Sequence, residues 1–306
     1  MVTRHSYASI DDLRDYLAGT TYASGWTSDA AILRRIVEAA SRRIDNYVGM
    51  QAFGPRVETH YFDIGSGALR DTPQLLRKSG QSQNIGAVDS YIAAIPLDAW
   101  LVSATSVTSY ESTDRSSSET LTEGYNADYW LEPYNSTPKV RLKLNEDTAK
   151  SFHAGQSTLA VAGTWGHANE TIIHTTADAV GSTTATSISV TSAADLSVAK
   201  TILIESEQIY ITAISGNTLT VERGVNGTTA ATHSGGVNVS GFEYNPLVVE
   251  ACLDLSKIAF RDRDMGTTLT VGSGAEGVTR SDFDASSVLS TLDEFRAGTA
   301  YSEIYF

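Results

Sequence analysis

Apolar residues recur at three-and-four spacing in two stretches near the start of the chain and one near its end, and at alternate positions through much of what lies between. Ser9-Ile-Asp-Asp12 opens the first helical stretch, with Ser9 as N-cap and carboxylates in the first turn, and the pattern runs through Leu13 and Leu17 to a stop at Gly19. A helix this short holds only by docking. Ser28-Asp29 opens the second, where Ile32, Leu33, Ile36, Val37, Ala40, Ile44, Tyr47 and Val48 form one core stripe ending at Gly49. Asn245 as N-cap and Pro246 at the first helical position predict a third helix through Val248, Ala251, Leu255, Ile258 and Ala259. Lys257, Arg261 and Arg263 fall towards its C-terminal end, and Gly266 is its stop.

From Gly54-Pro55 the period drops to two. Val57, Thr59, Tyr61 and Asp63 alternate with Arg56, Glu58, His60 and Phe62 until the turn Gly65-Ser66-Gly67. Further strands are predicted at 91–95, 101–109, 125–131, 140–144 and 159–162, with 111–119 as the most mobile connection. A Gly/Thr-rich stretch, about 171–242, then has a texture of its own. Its short β-branched runs at 186–190, 201–204, 208–212, 218–222 and 237–239 are punctuated by the hairpin turn Ser215-Gly216-Asn217 and by a turn at 223–228. Short strands with frequent glycine turns predict a small barrel or sandwich. The expected fold class is therefore α+β: a helical domain with a small antiparallel sheet, and an all-β domain inserted into it. The expected boundaries are 1–170 for the first part of the core, 171–242 for the insertion, 243–270 for the closing helix, and 271–306 for a flexible loop and a docking tail.

That tail carries a short amphipathic stretch, Val288, Leu289, Leu292 and Phe295, and ends on Tyr301, Ile304, Tyr305 and Phe306. Aromatic and branched anchors on so short an element make these eight residues the candidate protein interface.

Charge narrows the classes of partner. With 36 acidic against 22 basic side chains, the 306-residue chain has a formal net charge of −14. Gripping a phosphate backbone needs clustered Lys and Arg, so a nucleic-acid-binding protein is not expected, although DNA passing through an assembly is compatible with the charge. The nearest approach to a basic patch is Arg34, Arg35, Arg42 and Arg43, two pairs about two helical turns apart, read as subunit-facing or phosphate-contacting. No apolar run approaches the roughly 18 residues of a membrane span, and the opening Val2-Thr3-Arg4-His5 is not an apolar leader, so a soluble, unexported chain with no membrane partner is expected.

Chemical motifs are sparse. The single cysteine, Cys252, falls in an amphipathic helical pattern and reads as a small buried hydrophobe. Gly272-Ser-Gly-Ala-Glu-Gly277 matches the dinucleotide fingerprint in letters, but no crossover helix follows it to bind a pyrophosphate, so no cofactor is expected. His5, His60, His153, His167, His174 and His233 lack ligand spacing, and the pairs Asp262/Asp264 and Asp282/Asp284 lack the loop a Ca²⁺ site needs, so no metal is expected either. No catalytic residue is assigned and an enzyme is not expected.

The outer segments together resemble the head-tail connector (adaptor) proteins of long-tailed bacteriophages. The resemblance lies in the opening 7–17, the helix 31–47, the strand His60-Tyr-Phe-Asp63, the element Val161-Ala-Gly-Thr-Trp-Gly166, the helix 245–263 and the short stretch 289–296. The run 204–228 looks like a small β module of other phage tail and neck proteins. The resemblance implies a helical connector-type domain and a homo-oligomeric ring, commonly of about twelve copies. Its implied partners are the chain itself, the portal protein above, the next neck or tail-completion protein below, and DNA in transient passage. The implied location is the virion neck, reached from the host cytoplasm during assembly. The alternative reading is a β-rich carbohydrate-binding or host-adhesion tail protein, for which Trp26, Trp100, Trp130 and Trp165 with fourteen tyrosines would supply stacking faces.

Overall fold

The computed structural model describes residues 3–18, 29–49, 52–64, 94–145, 150, 152–153, 155–167, 169–265 and 285–296. Across them the chain is mostly β, with two antiparallel sheets of six strands each and four helices. This corrects the expected α+β class: the helices do not make a helical connector-type domain carrying a small sheet. The first sheet alone has as many strands as the barrel-like stretch, because the end of the connection expected at 111–119 is itself a strand, Ser118–Leu121, while two runs expected to be separate merge. Residues 94–110, for instance, form a single 17-residue strand.

The chain divides into two compact units, Met1–Arg56 with Ala168–Phe306, and Val57–His167. The grouping differs from the expected boundaries. Strands 171–242 fall in the same unit as the helices, and it is 57–167 that interrupts that unit in sequence.

In the first unit α1 (Ile10–Leu17) begins with a capping box. Ser9 Oγ accepts from the Asp12 amide at 2.9 Å, and the Asp12 carboxylate accepts from the Ser9 amide at 2.6 Å. Helix α2 (Ala30–Val48) is capped by Asp29 and ends at Gly49, whose φ of 74° is the left-handed geometry that stops a helix. Helix α3 (Pro246–Met265) starts where Asn245 Oδ1 accepts the Leu247 amide at 2.9 Å. Helix α4 (Ala285–Ser290) is followed by a 3₁₀ turn at Asp293–Phe295. Helices α1, α2 and α4 all pack on α3, and α1 also packs on α2. Leu13, Leu33, Val37, Ile44, Val248 and Cys252 are sealed between them.

The sheet of this unit has the order β7 (Thr171–Ala177), β12 (Val237–Phe242), β9 (Thr201–Ile204), β10 (Glu207–Ser215), β11 (Thr218–Glu222), β8 (Ser187–Ser189). Its two edges meet: Ala177 bridges Val190, the Asp178 amide donates to Ser189 O at 2.9 Å, and the Thr191 amide donates to Thr176 O at 2.9 Å. The sheet thus curls back on itself around Ile188, Ile202, Ile204, Ile209, Ile211, Leu219 and Val239. Glu207, fully buried, accepts from Arg223 through both Nε and Nη2 at 2.6 Å, from the Gly224 and Ala231 amides at 3.0 Å, and from His233 Nε2 at 2.8 Å. Burial pushes this carboxyl up, but Arg223 and the amides outweigh it and hold it down at about 2. The loop 223–233 is thereby bolted to the barrel wall.

An extended segment, residues 4–8, joins helices to barrel. On the barrel side the Arg4 amide donates to Asn226 Oδ1 at 2.7 Å, Arg4 Nε to Glu222 at 2.8 Å, and Thr201 Oγ1 to Arg4 O. On the helix side Arg42 donates to His5 O, the Tyr7 amide donates to Ser41 Oγ at 3.1 Å, and Tyr7 OH donates to Asp45. Between them the His5 ring is fully buried: Nε2 donates to Pro55 O at 2.7 Å and Nδ1 accepts from Tyr244 OH at 2.8 Å. Gln208 Nε2 reaches the same Pro55 O at 2.9 Å. A Cβ on Gly54 would lie 2.3 Å from the His5 ring, so no other residue fits there.

In the second unit the sheet has the order β1 (Arg56–Ile64), β6 (Gly155–Trp165), β2 (Ala94–Tyr110), β5 (Lys139–Leu144), β4 (Tyr129–Glu132), with β3 (Ser118–Leu121) paired to β2. Leu97, Leu101, Val107, Leu142, Leu159 and Val161 form its core.

Burial holds His5 down at about 3, against an ordinary value of 6.5, and Arg42 adds to that effect. The folded state therefore keeps His5 neutral while an unfolded chain would take up a proton below 6.5. Its stabilising contribution is whole above 6.5 and is lost as pH falls towards 3. Neighbouring Asp45 is raised to about 6 by burial and works in the opposite direction between 6 and its ordinary 3.8, so total stability is a poor readout. The difference in unfolding free energy between the wild type and His5→Gln isolates the histidine. That difference is predicted to shrink by about 1.4 kcal/mol per pH unit below 6.5. A difference independent of pH in denaturant titrations would refute the neutral, buried ring.

Candidate functional site

Helix α2 buries one face through Leu33, Val37, Ala40 and Ile44, which leaves the flanking positions to decide what the outer face does. Along it runs a groove of about 630 Å³ whose walls are residues 3–6, Ile32, Arg35, Ile36, Glu38, Ala39 and Arg42 of α2, and Ala259 of α3. Its apolar surface comes from Ile32, Ile36, Ala39 and Ala259. Three guanidinium groups line it: Arg4, paired with Glu222, Arg42, paired with Asp45, and the exposed Arg35, with Glu38 as the carboxylate among them.

The four sequence-flagged arginines divide between inside and outside. Arg42 is turned inward, donating to His5 O, paired with Asp45 at 3.1 Å and lying 5.9 Å from the Tyr7 ring centre. Arg34 leans on Glu38 at 3.9 Å, and Glu38 also accepts from Tyr210 OH of the barrel. Arg35 is exposed and lines the groove; Arg43 is exposed and does not. Two of the four thus hold the unit together, and Arg35 is the one presented to a ligand at the groove. Ile32 and Ile36, read from spacing as core, are only half-buried because they form its floor. Arg4 and Glu38, which the sequence reading did not single out, join them there. Their signal is weak: Glu38 stands four residues after Arg34, the spacing of a helical ion pair.

The candidate interface residues of the tail are placed differently from expectation. Val288, Leu289 and Leu292 are buried within their own chain, with α4 against α3. Phe295 is half-buried, edge-on to Phe53 with ring centres 5.2 Å apart, while Tyr47 OH donates to Asp293 and Arg296 lies 5.0 Å from the Tyr47 ring centre. Three of these four side chains are thus buried in the chain itself, and Phe295 is half-buried. Tyr301, Ile304, Tyr305 and Phe306 lie outside the described residues, as do Trp26, the Gly272–Gly277 run and the pair Asp282/Asp284.

In the second unit two segments quoted for the connector resemblance come together. The His60 ring stacks on Trp165 with centres 3.8 Å apart and planes 14° from parallel, and Trp165 Nε1 donates to Glu58 O at 3.2 Å. His60 also sits between Glu58, at 3.0 Å, and Asp98, at 2.8 Å. Burial alone would lower its pKa, but the hydrogen bonds and charges of Asp98 and Glu58 prevail and raise it to about 9. At neutral pH it is a cation held between two carboxylates on an indole face, an arrangement that locks β1 to β6. It has no nucleophile and no open coordination position. Among the described residues no group of three His, Cys, Asp or Glu is placed to hold a metal ion. Trp100 and Trp165 are core residues, and Cys252 is buried beside Ser41 Oγ at 3.5 Å.

Comparison of the chain with protein-family models, with curated proteins and with solved structures finds no match.

Two outcomes follow from these placements. Leu292 is fully enclosed, so Leu292→Ala is expected to destabilise the isolated chain by about 2–5 kcal/mol, measured by urea unfolding; an unchanged midpoint would mean that the tail docks elsewhere. Since His60 is raised from 6.5 to about 9, its contribution is whole below 6.5 and disappears as pH rises through 9. The stability gap between wild type and His60→Gln should therefore narrow from neutral to alkaline pH. A gap that widens would refute the imidazolium.

Proposed function

We propose that this chain is a subunit of a head-tail connector ring, joining capsid to tail beneath a portal and forming part of the passage for DNA. The observation that carries the reading is convergence. The four helical segments quoted for the resemblance, two from each end of the chain, pack together as α1, α2 and α4 around α3. The acidic balance supports a conduit, which must let DNA slide without holding it. A ring is the closed outcome of a repeated head-to-tail contact, and the groove on α2 offers one half of such a contact.

A second reading, glycan binding by the Val57–His167 unit, draws on Tyr125, 67% exposed, with its ring centre 5.7 Å from that of Trp130. Lys143 Nζ lies 5.2 Å from the same indole, which leaves less of it to stack on a sugar.

Imaging of purified necks from the virus that encodes this chain, with mass spectrometry of their subunits, separates the two readings. The connector reading predicts this chain in the ring next to the portal. Its absence from necks, together with glycan binding by the isolated chain, would overturn it.

A further inference from the structure

We propose that the arginine-rimmed groove on α2 receives a second copy of this chain, through the face of α3 that carries Leu247, Glu250 and Asp254. The inference rests on the ring reading above and specifies its subunit contact.

The groove combines an apolar floor with one exposed cation, Arg35, on its edge, so its complement is an apolar side chain beside a carboxylate. The same unit offers that pattern. Leu247 is 46% exposed, a large apolar side chain left uncovered on the first turn of α3. At 3.6 residues per turn, Leu247, Glu250 and Asp254 fall within about 60° of one another around the helix axis. Glu250 is exposed, and Tyr16 OH donates to Asp254 at 2.6 Å and lies 3.3 Å from the Glu250 carboxylate. Lys257 stands on the same helical face, 5.3 Å from the Tyr16 ring centre, and further round the helix a second cleft of about 530 Å³ is lined by Asp12, Asp15 and Glu243 with Lys200.

The two surfaces are held on one compact unit and point apart. Ala259, the α3 residue in the groove wall, lies about 150° around the helix from the Leu247 face. Complementary patches on opposite sides of one rigid body are what a repeated head-to-tail contact requires, and such a contact closes into a ring when the rotation per subunit divides a full turn. Charge complementarity selects the occupant as another copy. Like meeting like would place arginines on arginines, whereas the heterologous pairing sets Leu247 on Ile32 and Ile36, with Glu250 opposite Arg35.

The test is charge reversal in the full-length chain, alone and mixed with portal rings of the same virus, with assembly read by sedimentation and native mass spectrometry. Arg35→Glu and Glu250→Arg should each weaken self-association on the order of tenfold, and more so in low salt. Combined in one chain they should restore it, while melting temperatures of all three variants stay near that of the wild type. Assembly that tolerates both single reversals, or a double variant no better than the singles, would refute this interface and leave the ring standing. A wild-type chain that assembles in neither setting would remove the ring reading and this interface together.

Discussion

The structure turns on a short extended segment buried where three elements meet. Residues 4–8 bond to the barrel through Arg4, to α2 through His5 O and Tyr7, and to the loop before β1 through the His5 ring. Neither helices nor barrel could close its surface alone. The helices bury Tyr7 against Phe53 and Tyr244, and the barrel buries Tyr210 with its hydroxyl on Glu38 of α2. A neutral histidine is suited to the centre because one ring nitrogen can donate to Pro55 O while the other accepts from Tyr244. A buried cation there would lack a counter-charge, since Arg42 and Arg56 are the charged groups that oppose it.

That rigid junction is what makes the surface of the unit meaningful. The groove on α2 has the buried segment as one wall, and the acidic side of α1 and α3 is fixed to the same block. Arg42 serves both purposes, holding His5 O inside while lining the groove outside. Geometry set by the core thus determines where Arg35 and the carboxylates of α1 and α3 stand relative to each other.

The helices were legible because their signals are local: Ser9 and Asp12 make the capping box, Asp29 and Asn245 cap α2 and α3, and Gly49 ends α2. The strands of 171–242 were likewise legible as short β-branched runs with Gly216 in a turn. What could not be read was the grouping. Glu207, His233 and Arg223 are polar residues that pattern reasoning assigns to the surface, yet they are the barrel's internal bolt. His5 looks like part of a polar leader until Gly54 and Pro55 are brought against it. Membership of a unit depends on such long-range polar contacts, which leave no periodicity behind. The same limit affected the site: Ile32 and Ile36 have core spacing, and only the position of residues 3–6 leaves them half-exposed as a floor. Conversely, Val288, Leu289 and Leu292 looked too few to fold, because nothing in their own spacing shows that they pack back on α3, the helix before them.

The central claim is that helices and barrel form one cooperative body joined by residues 4–8. Native-state hydrogen exchange measures this directly, amide by amide, as the free energy of the opening that exposes each. The account predicts that slow amides of α2 and α3 and those of β9 and β10 open together, with one free energy and one denaturant dependence, and that His5→Ala lowers both sets by the same amount. Barrel amides that remain protected after the helices have opened, or a His5→Ala effect confined to the helices, would contradict it.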